Sequence, residues 1–359
     1  MYYQRPQSSA LNILGVLLFF GVAVVIVLVL FVHFVLGRIG NSFSGEPRTF
    51  REYNLRGNQF YQQGAYKRAV SDYTHMIELE PNLNDGYLLR GMAYYKLGDY
   101  NRSVADDTKA IGLATIPLVR ADLYYNRGLG YKGMNRWDEA IADFGTSIQY
   151  RPENYDAYEG RAWCYMEKGE NDKAIRDYSV SLSHTPNDGN TLMLRGQVYV
   201  RKGDNTHAIS DLSRSIAIHP NYPPTYALRA EAYDHTGNYA KAAADYAKAA
   251  KLEPQNAGYR GDVGWYQYLD GKLPDAIANT KQALGMNPSL TYARFNLGLC
   301  YATQGDWNTA ETEYRIALQQ AKPADLKGAL QDVKDALKKQ PHSSALNNAL
   351  SLLSHSNAN

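Results

Sequence analysis

Six arginine–aspartate pairs recur in this sequence, with the aspartate sixteen residues after the arginine each time. A planar guanidinium can bind a carboxylate through two parallel hydrogen bonds. Such a pair could hold a substrate or tune a catalytic base, but catalysis does not need the same pair six times. The repetition therefore favours a structural role for these residues: Arg56, Asp72, Arg90, Asp106, Arg127, Asp143, Arg161, Asp177, Arg195, Asp211, Arg229 and Asp245.

Other residues with chemical potential are few. The two cysteines, Cys164 and Cys300, cannot build a four-ligand zinc site or a disulfide framework, and no Cys-x-x-Cys or His-x-x-x-His spacing surrounds them. Residues 128–133 match G-x-G-x-x-G, but a dinucleotide site needs a preceding strand and a helix N-terminus aimed at phosphate. The surrounding pattern is that of one helix. The sequence therefore predicts no metal, no cofactor and no enzymatic activity.

Composition narrows the classes further. An apolar fraction of 45% and a charged fraction of 21% are those of a folded protein. The net charge is +2 and no long Lys/Arg run occurs, so we do not expect nucleic-acid binding. Tyrosine is in excess, with 30 residues against 9 phenylalanines.

The element that positions these residues is a repeat of about 34 residues. Its clearest copies are YKRAVSDY at 66–73, WDEAIADF at 137–144, NDKAIRDY at 171–178 and YAKAAADY at 239–246. Each unit has two amphipathic stretches separated near its fifteenth position, mostly by glycine, and small residues at positions 8 and 20. Such units cannot bury their apolar faces alone and must stack.

The register resembles that of the tetratricopeptide-repeat family over about three quarters of the chain. The resemblance implies an all-α solenoid, a right-handed superhelix of eight helix-turn-helix repeats over residues 50–322. We expect the repeats to start near Phe50, Asn84, Ala121, Tyr155, Gly189, Pro223, Ala257 and Thr291.

Helix geometry explains the charged pairs. In two antiparallel helices joined near position 15, residues whose positions sum to about 31 lie opposite each other. The arginines and aspartates occupy positions 7 and 23, which sum to 30, so each arginine should face its own aspartate. In repeats 7 and 8 position 7 is Val263 or Leu297, and position 23 is Asn279 or Glu313. We therefore expect the pair to be absent from these two repeats.

The flanking segments have their own patterns. Residues 11–36 contain an uncharged apolar run of about 24 residues, about 36 Å of helix, which predicts a retained transmembrane helix. Residues 1–10 are a tail and residues 37–49 a linker. An apolar stripe predicts a capping helix at 323–340, followed by a partly helical tail at 341–359. Arginines on the two sides of this helix are nearly equal in number, so their positions do not decide on which side of the membrane the repeats lie. We lean to the side outside the cytoplasm.

The resemblance also implies a concave groove lined by the first helices, at positions 2, 5, 9, 12 and 13. Exposed aromatic residues and methionine are typical of surfaces that bind peptides or helices. Some of the residues at these positions are instead expected to fill contacts between neighbouring helices. The groove set is Met92, Tyr125, Leu129, Trp163, Met166, Met193, Trp265, Tyr268, Phe295 and Leu299.

These patterns predict a single-pass membrane protein that binds partner proteins or peptides in the groove. The alternative is an exported cell-envelope assembly or secretion factor, with the solenoid outside the cytoplasm.

Overall fold

The computed structural model describes residues 46–356, and every regular element in this range is an α-helix. The helices are α1 Phe50–Gln62, α2 Tyr66–Leu79, α3 Asn84–Lys96, α4 Tyr100–Leu113, α5 Pro117–Gly133, α6 Trp137–Tyr150, α7 Tyr155–Glu167, α8 Asn171–His184, α9 Gly189–Lys202, α10 Asn205–Ile218, α11 Pro223–Asp234, α12 Tyr239–Leu252, α13 Ala257–Leu269, α14 Leu273–Met286, α15 Thr291–Gln304, α16 Trp307–Leu318, α17 Pro323–Lys339 and α18 Ser344–Ser356. The prediction of an all-α repeat array without a sheet is confirmed for this range.

The predicted transmembrane helix at 11–36 lies outside the described residues. Within the described part of the chain, no helix combines the length and the apolar character that crossing a membrane requires.

The chain divides into two compact units. In the first, α1–α4 form repeats 1 and 2. In the second, α5–α16 form repeats 3 to 8, and α17 and α18 follow. Helix α5 begins at Pro117, four residues before the expected start of repeat 3, because proline is well suited to the first turn of a helix.

A left-handed residue separates the two helices of every repeat. Seven of these residues are glycines with φ between +70° and +91°, and in repeat 3 the position is held by Asn135 with φ +59°. Asparagine is among the few residues that adopt this conformation at modest cost. The turn directs the second helix back along the first.

Close contact within each repeat depends on a small residue at position 8. A Cβ on Gly57 would lie 2.7 Å from the Tyr73 ring, and one on Gly128 would lie 2.9 Å from Phe144. The second of these glycines belongs to the G-x-G-x-x-G segment, which lies within α5. Its glycines therefore serve helix packing.

The chain after repeat 8 forms two helices, α17 and α18. Helix α17 packs against α15 and α18, whereas α18 packs against both α15 and α16. Helix α9 packs on α7 and α8 in the same way as α18 packs on α15 and α16, and so does α11 on α9 and α10. So α18, in the predicted tail, occupies the place of a following first helix, and α17 lies beside the first helix α15.

Candidate partner-binding surface

The six arginines bind their aspartates bidentately. In each pair Nε and Nη2 donate to the two carboxylate oxygens over 2.7–3.0 Å. The aspartates are only 1–7% exposed. The hydrogen bond to Asp106 raises the pKa of Arg90, and that to Asp245 raises the pKa of Arg229. These pairs join the two helices of one repeat.

Repeats 7 and 8 lack the arginine–aspartate pair of positions 7 and 23, as expected, but in each repeat another arginine contacts the residue at position 23. Arg294 donates to Glu313 over 2.8 Å, with both side chains less than one-fifth exposed, and Arg260 donates to Asn279 over 3.3 Å. Both arginines stand at position 4, one helical turn before position 7. Residues one turn apart share a helix face, so the guanidinium still reaches position 23.

A third contact of the arginine joins neighbouring repeats. Nη1 of Arg195 donates to Ser179 over 2.9 Å, and Nη1 of Arg229 donates to Ser213 over 2.9 Å. Each hydroxyl stands at position 25 of the preceding repeat. At the junction of repeats 3 and 4 that position is Gly145, whose Cβ, if built, would lie 3.5 Å from Nη1 of Arg161.

Aromatic rings flank the arginines and account for part of the tyrosine excess. The guanidinium of Arg229 lies 6.0 Å from the ring of Tyr226 and 5.8 Å from that of Tyr233. These rings stand one turn before and one turn after the arginine. Cation–π attraction therefore adds to the ion pair.

The two thiols are buried and unpaired. Burial raises the pKa of Cys164 to about 11 and that of Cys300 to about 12. Because the thiolate is the reactive form, both side chains act as small core residues.

The predicted groove residues divide into covered and open positions. Met166, Phe295 and Leu299 are 2–3% exposed, so their assignment to an open groove is wrong. Phe295 and Leu299 belong to a cluster with buried side chains of α17 and α18, and Trp265 and Tyr268 pack against that cluster. The end of the groove is thus filled by the chain's own C-terminal helices.

Trp265, Tyr268 and the remaining predicted residues are half-buried. Met92 lies in the first unit. In the second unit Tyr125, Leu129, Trp163 and Met193 stand at positions 5 and 9 of repeats 3 to 5 and stay partly accessible. They come from three consecutive first helices, α5, α7 and α9.

Trp163 is the centre of this open stretch. Its ring lies 5.1 Å from that of Trp137 in an edge-to-face arrangement, and Nζ of Lys132 lies 4.5 Å from the Trp163 ring. Burial lowers the pKa of Lys132. We name Tyr125, Leu129, Lys132, Trp163 and Met193 the Trp163 surface. Sequence reasoning missed Lys132, although it stands at position 12, one of the groove positions.

The Trp163 surface can bind an apolar side chain beside an acidic one. An indole and a thioether supply apolar area, and a partly desolvated ammonium attracts a carboxylate more strongly than one in water. Tryptophan and tyrosine, both present here, are among the residues that most often carry the binding energy of protein interfaces.

Comparisons with known proteins agree on one family. Three models described as "Tetratricopeptide repeat" match residues 125–188 and 264–325, residues 223–256, and residues 85–115, together just over half of the chain. No curated protein matches.

Solved structures match the fold. A tetratricopeptide repeat protein from Parabacteroides merdae is 17% identical, with a TM-score of 0.52 over 75% of this chain and 98% of that one. The C-terminal part of a repeat-containing protein from Cytophaga hutchinsonii is 18% identical, with a TM-score of 0.59 over 69% of this chain and 99% of that one.

Proposed function

Since this chain belongs to the tetratricopeptide-repeat family, we propose that it is a membrane-tethered scaffold that binds partner proteins through the Trp163 surface. The family's repeats generally mediate protein–protein interaction. The observation that carries the proposal is a contrast in burial between equivalent positions. Positions 5 and 9 are covered in repeat 8, at Phe295 and Leu299, but are partly accessible in repeats 3 to 5.

The chemistry of the surface supports a peptide or helix as the ligand. Trp163 offers a large ring already held by Trp137 and Lys132, so binding costs little side-chain entropy. Leu129 and Met193 extend the apolar area on the flanking helices.

The membrane tether rests on the sequence of residues 11–36, which has the length and apolar character of a spanning helix. We test it by alkaline extraction of membranes carrying the full-length chain. Retention in the pellet supports the tether, and release into the supernatant refutes it. Protease digestion of sealed vesicles then gives the side on which the repeats lie.

The binding site is tested by photo-crosslinking. A photoreactive amino acid replaces Met193 in one full-length variant and the exposed Arg176 of α8 in a control variant. We expect discrete crosslinked partners from position 193 only, weakened about 30-fold by Trp163→Ala, equivalent to loss of about 2 kcal/mol. Removal of another exposed aromatic, in Tyr222→Ala, is the matched control.

The same crosslinks from both positions, or crosslinks from position 193 that survive Trp163→Ala unchanged, would contradict the assignment of this surface.

A further inference from the structure

We propose that the first-helix face of repeats 7 and 8 is a second binding site for an amphipathic helix, and that α17 occupies it as a displaceable intramolecular ligand. This inference rests on the proposed function, because it assigns a ligand type to the other end of the same face.

The contacts of α17 distinguish it from a member of the stack. Each repeat adds a first helix that packs on the second helix of the repeat before it, and α18 packs in this way on α16. Helix α17 instead packs on the first helix α15, alongside α18. It therefore lies on the side of the repeats that carries the groove positions.

Burial shows which positions α17 and α18 cover. Phe295 and Leu299, at positions 5 and 9 of repeat 8, are 3% and 2% exposed in a cluster shared with these helices. Tyr268, at position 12 of repeat 7, packs against the same cluster. The corresponding positions 5 and 9 in repeats 3 to 5 have no such cover. The groove is therefore filled at repeat 8, whereas Trp265 at position 9 of repeat 7 stays half-buried.

The filled groove is imperfectly bonded. Asp332 of α17 forms no hydrogen bond or ion pair with any described residue, and its charge contributes to the raised pKa of both Tyr268 and Tyr314, for which burial is the main cause. Asp332 is half-buried, and a carboxylate that loses water without gaining a partner opposes docking, so α17 is held less firmly than its apolar contacts alone would give.

The sequence of α17 defines the ligand. Its buried residues follow a helical stripe, and lysines occupy the exposed face. A partner that replaces it must present the same apolar stripe on a helix, as helix-in-groove ligands do. The stripe is Leu326, Ala329, Leu330, Val333 and Ala336.

Hydrogen exchange of the full-length chain in detergent tests whether α17 opens alone. We expect its amides to exchange at least tenfold faster than those of α15, and Asp332→Leu to slow them by about tenfold. The control is Lys334→Leu, which removes an exposed charge of the same helix and leaves the ratio unchanged. Equal exchange of α17 and α15 in the wild type overturns the proposal.

A labelled peptide of residues 323–339 tests the site itself, by fluorescence anisotropy against the same protein. We expect binding at least tenfold tighter to Leu330→Glu, whose own α17 is undocked, and weaker to Asp332→Leu, whose α17 is held more firmly. The two variants shift affinity in opposite directions, so misfolding of one cannot imitate the result. Equal binding to all three proteins overturns the proposal.

These outcomes are separable from those for the Trp163 surface. Trp163→Ala should leave binding of the α17 peptide unchanged. Loss of peptide binding in that variant would mean that the peptide binds at the Trp163 surface and would refute a separate site.

Discussion

Gly145→Ser should supply the bond that the junction of repeats 3 and 4 lacks. At two other junctions a serine at position 25 accepts from the next arginine over 2.9 Å. Nη1 of Arg161 already lies 3.5 Å from the position of a Cβ on Gly145, so a hydroxyl one bond further can reach it. The 3.5 Å separation is an ordinary contact, and the substitution causes no clash.

Two effects set the expected gain in stability. Helix propensity favours alanine over serine, whereas only serine can accept the hydrogen bond. Replacing glycine inside a helix by alanine stabilises by about 1 kcal/mol, and serine gives about 0.5 kcal/mol less. A bond to a charged donor adds about 1 kcal/mol, at the low end because the Arg161 side chain is 21% exposed. We therefore expect about 1.5 kcal/mol for Gly145→Ser and about 1 kcal/mol for Gly145→Ala.

Local hydrogen exchange in α6 and α7 is the suitable assay, because repeat arrays need not unfold in one step. Amide exchange should slow by about tenfold for Gly145→Ser and by about fivefold for Gly145→Ala. In an Arg161→Met background the serine should lose its advantage and fall below alanine. If serine lies below alanine by the same factor in both backgrounds, the hydroxyl makes no bond to Arg161 and the reasoning is refuted.

Three further outcomes follow from the structure. Arg294→Met should destabilise α15 and α16 by about 1–3 kcal/mol, because it leaves Glu313 partly buried without its partner; unchanged thermal unfolding would show that this pair contributes nothing. Cys164 and Cys300, whose pKa burial raises to about 11 and 12, should resist alkylation at pH 8 until denaturant is added, which a thiol-labelling time course measures. Burial and, to a smaller degree, Asp335 raise the pKa of Asp332 to about 6, so protonation favours the docked state of α17. The protection of α17 amides, corrected for intrinsic exchange rates, should therefore increase as the pH falls from 7.5 to 5.5. Asp332→Asn should abolish this pH dependence.

The sequence was sufficient wherever one rule applied to every repeat. The pairing of Arg56 with Asp72 follows from the antiparallel geometry of two helices of fixed length. The close approach at Gly57 follows from the same register. Periodicity makes such predictions reliable, because each repeat tests the one before it.

The features that the sequence did not reveal are those in which repeats differ. Arg294 replaces the missing arginine of repeat 8 from a position one turn away, which an alignment by column cannot show. Phe295 and Leu299 match open groove positions by register, but residues outside the repeats cover them. Such contacts depend on where α17 folds back, and a local pattern carries no information on that path.

The missing hydroxyl at Gly145 has a mechanical consequence. A bend between repeats 3 and 4 breaks no arginine–serine bond, whereas a bend between repeats 4 and 5 must stretch the contact from Arg195 to Ser179. The edge-to-face contact of Trp137 with Trp163 crosses the junction that lacks this bond. Bending at this junction therefore changes the distance between the two indole rings. Tension applied along the array would then alter the shape of the Trp163 surface.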